Sequence, residues 1–121
     1  MRSTGTRYED LACERLEAAG LVLLERNFSC RHGELDLVMR DRDVLVFVEV
    51  RYRRGGGAGA YGDGIDSVGA AKRAKLVRAA SAWLAMHPRL ARHACRFDVV
   101  AIAGDAGATS LDWRANAFDA T

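Results

Sequence analysis

The chain has 121 residues, half of them apolar and 28% charged, with one proline and a formal net charge of +2. That is long enough to bury a core without disulfide or metal staples, so one domain over residues 1–121 is expected, and the composition excludes a disordered or low-complexity chain. No apolar run approaches the ~20 residues of a membrane span, and +2 is too small to establish a polyanion partner, so a case for nucleic acid rests on where the charges sit.

Met1-Arg2-Ser3-Thr4 leads into Tyr8-Glu9-Asp10 rather than into an apolar signal core, so a cytoplasmic protein with no membrane partner is expected. Thr4 or Thr6 can cap a first helix, whose apolar residues Tyr8, Leu11, Ala12, Leu16 and Ala19 recur at helical spacing until Gly20 stops it. Leu21 to Phe28 reads as a strand and Ser29 to Gly33 as a turn. Glu34 to Met39 alternates acidic and apolar residues, a strand with two unlike faces, and Asp41-Arg42-Asp43 makes a tight hairpin connection. Val44 to Tyr52 is the strongest strand, and its near-continuous apolar run predicts a central strand covered on both faces. Gly55 to Gly64 reads as a loop. Asp66 or Ser67 caps a second helix running to about His87, with Leu76, Ala80, Trp83 and Leu84 as its inner stripe. Arg96 to Ala103 is a further strand, and Leu111 to Phe118 a short edge strand. This order predicts an α/β fold: a mixed central sheet flanked by helices, with the second helix crossing over to bring the next strand parallel to a central one.

Cys13, Cys30 and Cys95 are far apart and form no C-x-x-C pair, so they are expected as reduced thiols rather than a zinc site. His32, His87 and His93 show no paired spacing and read as surface or loop residues. Lys72 and Lys75 are the only lysines among 18 basic side chains. With Arg73 and Arg78 they make a basic face on the second helix, either a solvated face or, together with Arg53 and Arg54, a groove for a nucleic-acid backbone. The Gly55–Gly64 loop lacks the Gly-Lys-Ser/Thr ending of a phosphate loop. It is a connector, or a flap whose Tyr61 can stack on a base.

The chemically informative residues are acids inside apolar strands. Glu49 sits within Phe47-Val48-Glu49-Val50, where a carboxylate is costly to desolvate unless it is paired or bound to a cation. Asp36 raises the same question within Leu35-Asp36-Leu37-Val38. The short hairpin makes the two strands neighbours. If register sets the acids side by side, carboxylates ~5 Å apart repel by roughly 3 kcal/mol at an effective dielectric of ~20. A shared proton or a bound divalent cation relieves that repulsion, and Mg²⁺ needs only one or two carboxylates. Period two places Arg51 on the Glu49 face, and Glu9 is a further acid able to reach a metal through water. The competing reading is an inert salt-bridged cluster on a solvated sheet face.

Gly33-Glu34-Leu35-Asp36-Leu37, Val46-Phe47-Val48-Glu49-Val50-Arg51, Lys72, Arg96-Phe97-Asp98-Val99-Val100 and Tyr8-Glu9-Asp10-Leu11-Ala12 together resemble the YraN-like family of uncharacterised bacterial proteins over about residues 5–103. That resemblance implies the PD-(D/E)xK fold of restriction endonucleases and archaeal Holliday-junction resolvases. It implies catalytic Asp36, Glu49, Arg51 and Glu9, with Mg²⁺ or Mn²⁺ on Asp36 and Glu49. It implies cleavage of DNA phosphodiesters, branched or structured DNA included, with pairing of two copies to cut two strands; the basic face and the loop, read by themselves, offer Arg53, Arg54, Tyr61, Lys72 and Lys75 to bind the nucleic acid. Arg51 stands where the motif has lysine, and Arg does not give up a proton near neutral pH. Two readings follow: Lys72 reaches into the site from the second helix, or the protein is a catalytically degenerate nucleic-acid-binding module. Asp98 is expected to pair with Arg96 or a neighbouring strand group rather than to act in catalysis.

Overall fold

The apolar run after Asp43 becomes the strand against which the rest is laid. In the computed structural model, which describes residues 4–54, 68–105 and 108–119, it is β3 (Val44–Arg54). The preceding elements are α1 (Thr4–Ala18), β1 (Val22–Cys30) and β2 (Gly33–Asp41). The following ones are α2 (Ala70–Met86), β4 (Ala94–Asp105) and β5 (Ala108–Phe118). The strands form one five-stranded sheet in the order β1-β2-β3-β4-β5. β3 and β4 run parallel, from Val44↔Ala94 to Arg54↔Gly104. The other neighbours are antiparallel. The mixed sheet and the crossover through α2 are as the element order predicted. Among the described residues no helix is long and apolar enough to cross a membrane.

Each face of the sheet buries its own cluster. On one side Phe28, Leu35, Val38, Leu45, Phe47, Phe97, Val99 and Phe118 pack with Leu76, Ala79, Ala80 and Trp83 of α2. On the other, Leu37, Met39, Val46, Val48, Val100 and Ile102 pack with Tyr8, Ala12, Cys13 and Leu16 of α1. Alternation along β3 thus sends Leu45 and Phe47 to α2, and Val46 and Val48 to α1, which explains a strand apolar on both faces. Cys13, Cys30 and Cys95 are free thiols. His87 stacks on Trp83 at 3.9 Å.

Several boundaries move. Gly20, with φ 102°, ends α1 as expected. β1 continues to Cys30, which narrows the expected turn to Arg31-His32. α2 starts later than expected: its N-cap is Gly69, without a side-chain cap, while Asp66 and Ser67 lie outside the described residues. Its first turn carries no acid but does carry Lys72, a cation where the helix dipole disfavours one by roughly 0.3–1 kcal/mol. Within the inner stripe Ala79 replaces the half-buried Leu84.

Asp98 is the most deeply buried charge, at 0% exposure. Its Oδ1 accepts from Arg96 Nε at 3.0 Å and Asn116 N at 2.9 Å; its Oδ2 accepts from Trp113 Nε1 at 2.9 Å and Arg96 Nη2 at 3.3 Å. Arg96 also donates to Asp41 at 3.0 Å. Four donors make this carboxylate a tie between β4 and the edge strand β5, the structural role expected of it. Asp98→Ala leaves Arg96 and Trp113 without that partner and should cost roughly 3–5 kcal/mol, read from the urea unfolding midpoint.

Candidate active site

Asp36 and Glu49 meet because of how the β2–β3 ladder ends. The pairing runs from Asp41↔Val44 to Leu37↔Val48, and Asp36 and Glu49 are the next residue on each strand. There the Val50 backbone N–H donates to Asp36 Oδ2 at 2.8 Å, so a carboxylate stands in for a strand carbonyl and the donor stays satisfied. The facial alternation slips at the same point. Leu35 and Val38 both join the α2-side cluster, while Leu37 joins the α1 side. Asp36 therefore sits where the strands part and is within reach of both layers.

From the α2 side comes Glu49, buried to 8% exposure and close enough to the Asp36 carboxyl for each to shift the other's proton affinity. Two cations face its Oε2: Lys72 Nζ at 3.6 Å and Arg51 Nη1 at 3.9 Å. From the α1 side comes Glu9, whose proton affinity the Asp36 charge also raises. The result is a chain of three carboxyls with Asp36 in the middle. Among the described residues no three His, Cys, Asp or Glu side chains close on a single metal position. The compact donor pair is Asp36 with Glu49, and Glu9 joins it through Asp36.

All three acids hold protons more tightly than usual. Glu49 is pushed up to about 7, by burial first and the Asp36 charge second, against the pull of Lys72 and Arg51. Asp36 is raised by burial, opposed by the Val50 N–H, the Glu49 hydrogen bond and Lys72. Glu9 is raised by burial and then by Asp36, opposed by Arg26. In each case burial is the leading cause, and at Glu9 and Glu49 the Asp36 charge adds to it.

Around this centre the expected residues separate. Tyr8, next to Glu9, stacks on Tyr52, next to Arg51, with ring centroids 3.8 Å apart. Tyr52 also donates to the Gly104 carbonyl at 3.0 Å, so the start of α1 is clamped to the ends of β3 and β4. Lys72 belongs to the acid pair. Lys75 is exposed on α2, beside the Gly33 turn. Arg53 is half-buried and already has a partner. The Arg54 side chain, Tyr61 and the Gly55–Gly64 loop lie outside the described residues. Arg26 carries no signal in the strand pattern, yet it belongs here. It reaches Asp10 Oδ1 at 2.6 Å and Glu9 Oε1 at 3.9 Å from β1. Its Nε and Nη2, and Glu9 Oε1, are buried without hydrogen-bond partners.

Residues 8–102 match the uncharacterised protein family UPF0102. The chain is 52% identical to a UPF0102 protein of Stutzerimonas stutzeri over 98% of its own length and 96% of the relative's. It is 56% identical to one of Ectopseudomonas mendocina, over 96% and 94%. It is 46% identical to one of Pseudomonas aeruginosa, over 98% and 94%.

The Glu49 shift has a definite consequence for stability. Its folded-state affinity for protons lies near 7 against an ordinary 4.5, so the folded protein binds the extra proton and loses stability as pH rises from about 4.5 through about 7. Glu49→Gln removes that loss. The variant should be more stable than wild type at pH 8 by up to about 3 kcal/mol, with the gain vanishing near pH 4.5. Urea unfolding of both proteins across that range checks it.

Proposed function

We propose that this chain, which belongs to the uncharacterised protein family UPF0102, is a divalent-cation-dependent phosphodiesterase of the cytoplasm that cuts DNA, structured or branched DNA included. The observation that carries the reading is the Asp36–Glu49 carboxyl pair. It is withdrawn from water at the point where two strands separate, and it is bordered by a half-exposed lysine.

The donor set suits a hard cation. Mg²⁺ binds through one or two carboxylates and keeps several waters, which matches a pair rather than a closed cage. The heightened proton affinity of both acids supports a place where added positive charge is stabilising. Asp36 and Glu49 would hold the ion, with Glu9 reached through water. Such an ion supplies Lewis acidity and lowers the pKa of water.

The chain's own residues do the rest. The Val50 N–H locks one Asp36 oxygen in place. Lys72 and Arg51 restrain Glu49 Oε2 and offset charge developing on a phosphate. Lys75, exposed on the same helix as Lys72, adds positive charge for a polyanion. In the reaction, a water oxygen bonds to phosphorus and one P–O ester bond breaks. The departing alkoxide takes up a proton, and the proton lost by water passes to solvent.

Purified protein with duplex, single-stranded and four-way-junction DNA plus Mg²⁺ or Mn²⁺ should cleave at least one substrate. Asp36→Asn and Glu49→Gln should each reduce the rate roughly 100-fold or more. Cleavage that survives both changes defeats the proposal. Independently of activity, millimolar Mn²⁺ should raise the melting temperature of wild type and leave Asp36→Asn unmoved. Salt-dependent DNA retention without any cleavage would instead support the degenerate binding module suggested by Arg51.

A further inference from the structure

Resting on the phosphodiesterase reading, we infer that Lys72 on α2, rather than Arg51 on β3, is the catalytic cation that meets the scissile phosphate. Both cations face the same oxygen, Glu49 Oε2, but the lysine is the closer, at 3.6 Å against 3.9 Å. Its side chain is 45% exposed, against 27% for Arg51. The ammonium therefore stands at the mouth of the site, between the acids and solvent, which is the side a polyanion approaches. The arginine lies deeper along the strand.

The reach of the two charges differs as well. Lys72 acts on both acids, and on Glu49 more strongly than Arg51 does. Chemistry separates them further. An ammonium presents three rotatable donors on a compact charge, so one can face Glu49 while the others serve non-bridging phosphate oxygens. A guanidinium has a rigid planar fork, less adaptable to that division. The surroundings of Lys72 agree. The start of α2 has no side-chain cap and no acid in its first turn, so nothing in that turn neutralises the lysine. A cation at a helix N-terminus breaks a local rule of stability, and such breaks concentrate at functional positions. The contribution of Lys72 is a placed charge.

The test compares wild type with Lys72→Met, Arg51→Met and the exchange Lys72→Met/Arg51→Lys, the lysine being exposed enough to be replaced without unfolding the chain. With Mg²⁺ or Mn²⁺ on the DNA that wild type cleaves, Lys72→Met should lower the rate roughly 100-fold, about ten times further than Arg51→Met. The exchange should regain part of the loss. Without divalent ion, the slope of log Kd against log salt should fall by about one unit for Lys72→Met and by less than half of that for Arg51→Met. Equal losses for the two single variants, or a larger loss for Arg51→Met, overturn the inference while leaving the phosphodiesterase reading standing. If wild type cleaves no DNA, that reading falls, and the salt slopes alone then decide: an unchanged slope in Lys72→Met removes the lysine from the phosphate as well.

Discussion

Two carboxyl groups taken out of water beside one another are the constraint around which this molecule is arranged. A hydrogen-bonded β-ladder has no use for them, and the β2–β3 ladder stops at the residue pair where they occur. The Asp36 carboxylate takes over the Val50 N–H, which lets the strands separate without stranding a buried donor. Burial then raises the proton affinity of both acids. A well-packed apolar pair at the same positions would avoid that burial cost. The cost is local, with a packed layer on either side of the sheet.

Each layer contributes one reaching side chain. α1, clamped by the Tyr8–Tyr52 stack, carries Glu9 to Asp36 and places it against Arg26. α2, seated by Leu76, Ala79, Ala80 and Trp83, carries Lys72 to Glu49. The parallel β3–β4 pairing makes the second placement possible, because its crossover lays α2 on the face to which Glu49 points. The buried Asp98 does the opposite kind of work. With four donors it is fully satisfied, and it fastens the edge strand. Comparison of the two acids separates a structural carboxylate from a chemically available one: the first is saturated with donors, the second is short of them.

Much of this was legible along the chain. The near-continuous run Val44–Val50 announced a strand buried on both faces, and the two acids embedded in apolar strands announced a site, since a buried charge is expensive wherever it occurs. Asp98 looks the same in sequence, in Arg96-Phe97-Asp98-Val99, and only its donors distinguish it. Arg26 was invisible because its partners lie on a different element, and no periodicity within β1 marks it. The start of α2 was misplaced because Ser and Asp are good caps by type, whereas the observed N-cap is a glycine with no side chain to offer.

Residue type and spacing alone determined the element order, the mixed sheet and the identity of the two strand acids, because burial and periodicity are local properties that a one-dimensional pattern records. The register that sets Asp36 against Glu49, the reach of Glu9 across from the other layer, and the placement of Lys72 and Arg51 on the same Glu49 oxygen were decided only by the folded chain. These depend on distances between residues far apart in sequence, which exist only once the helices lie against the paired strands.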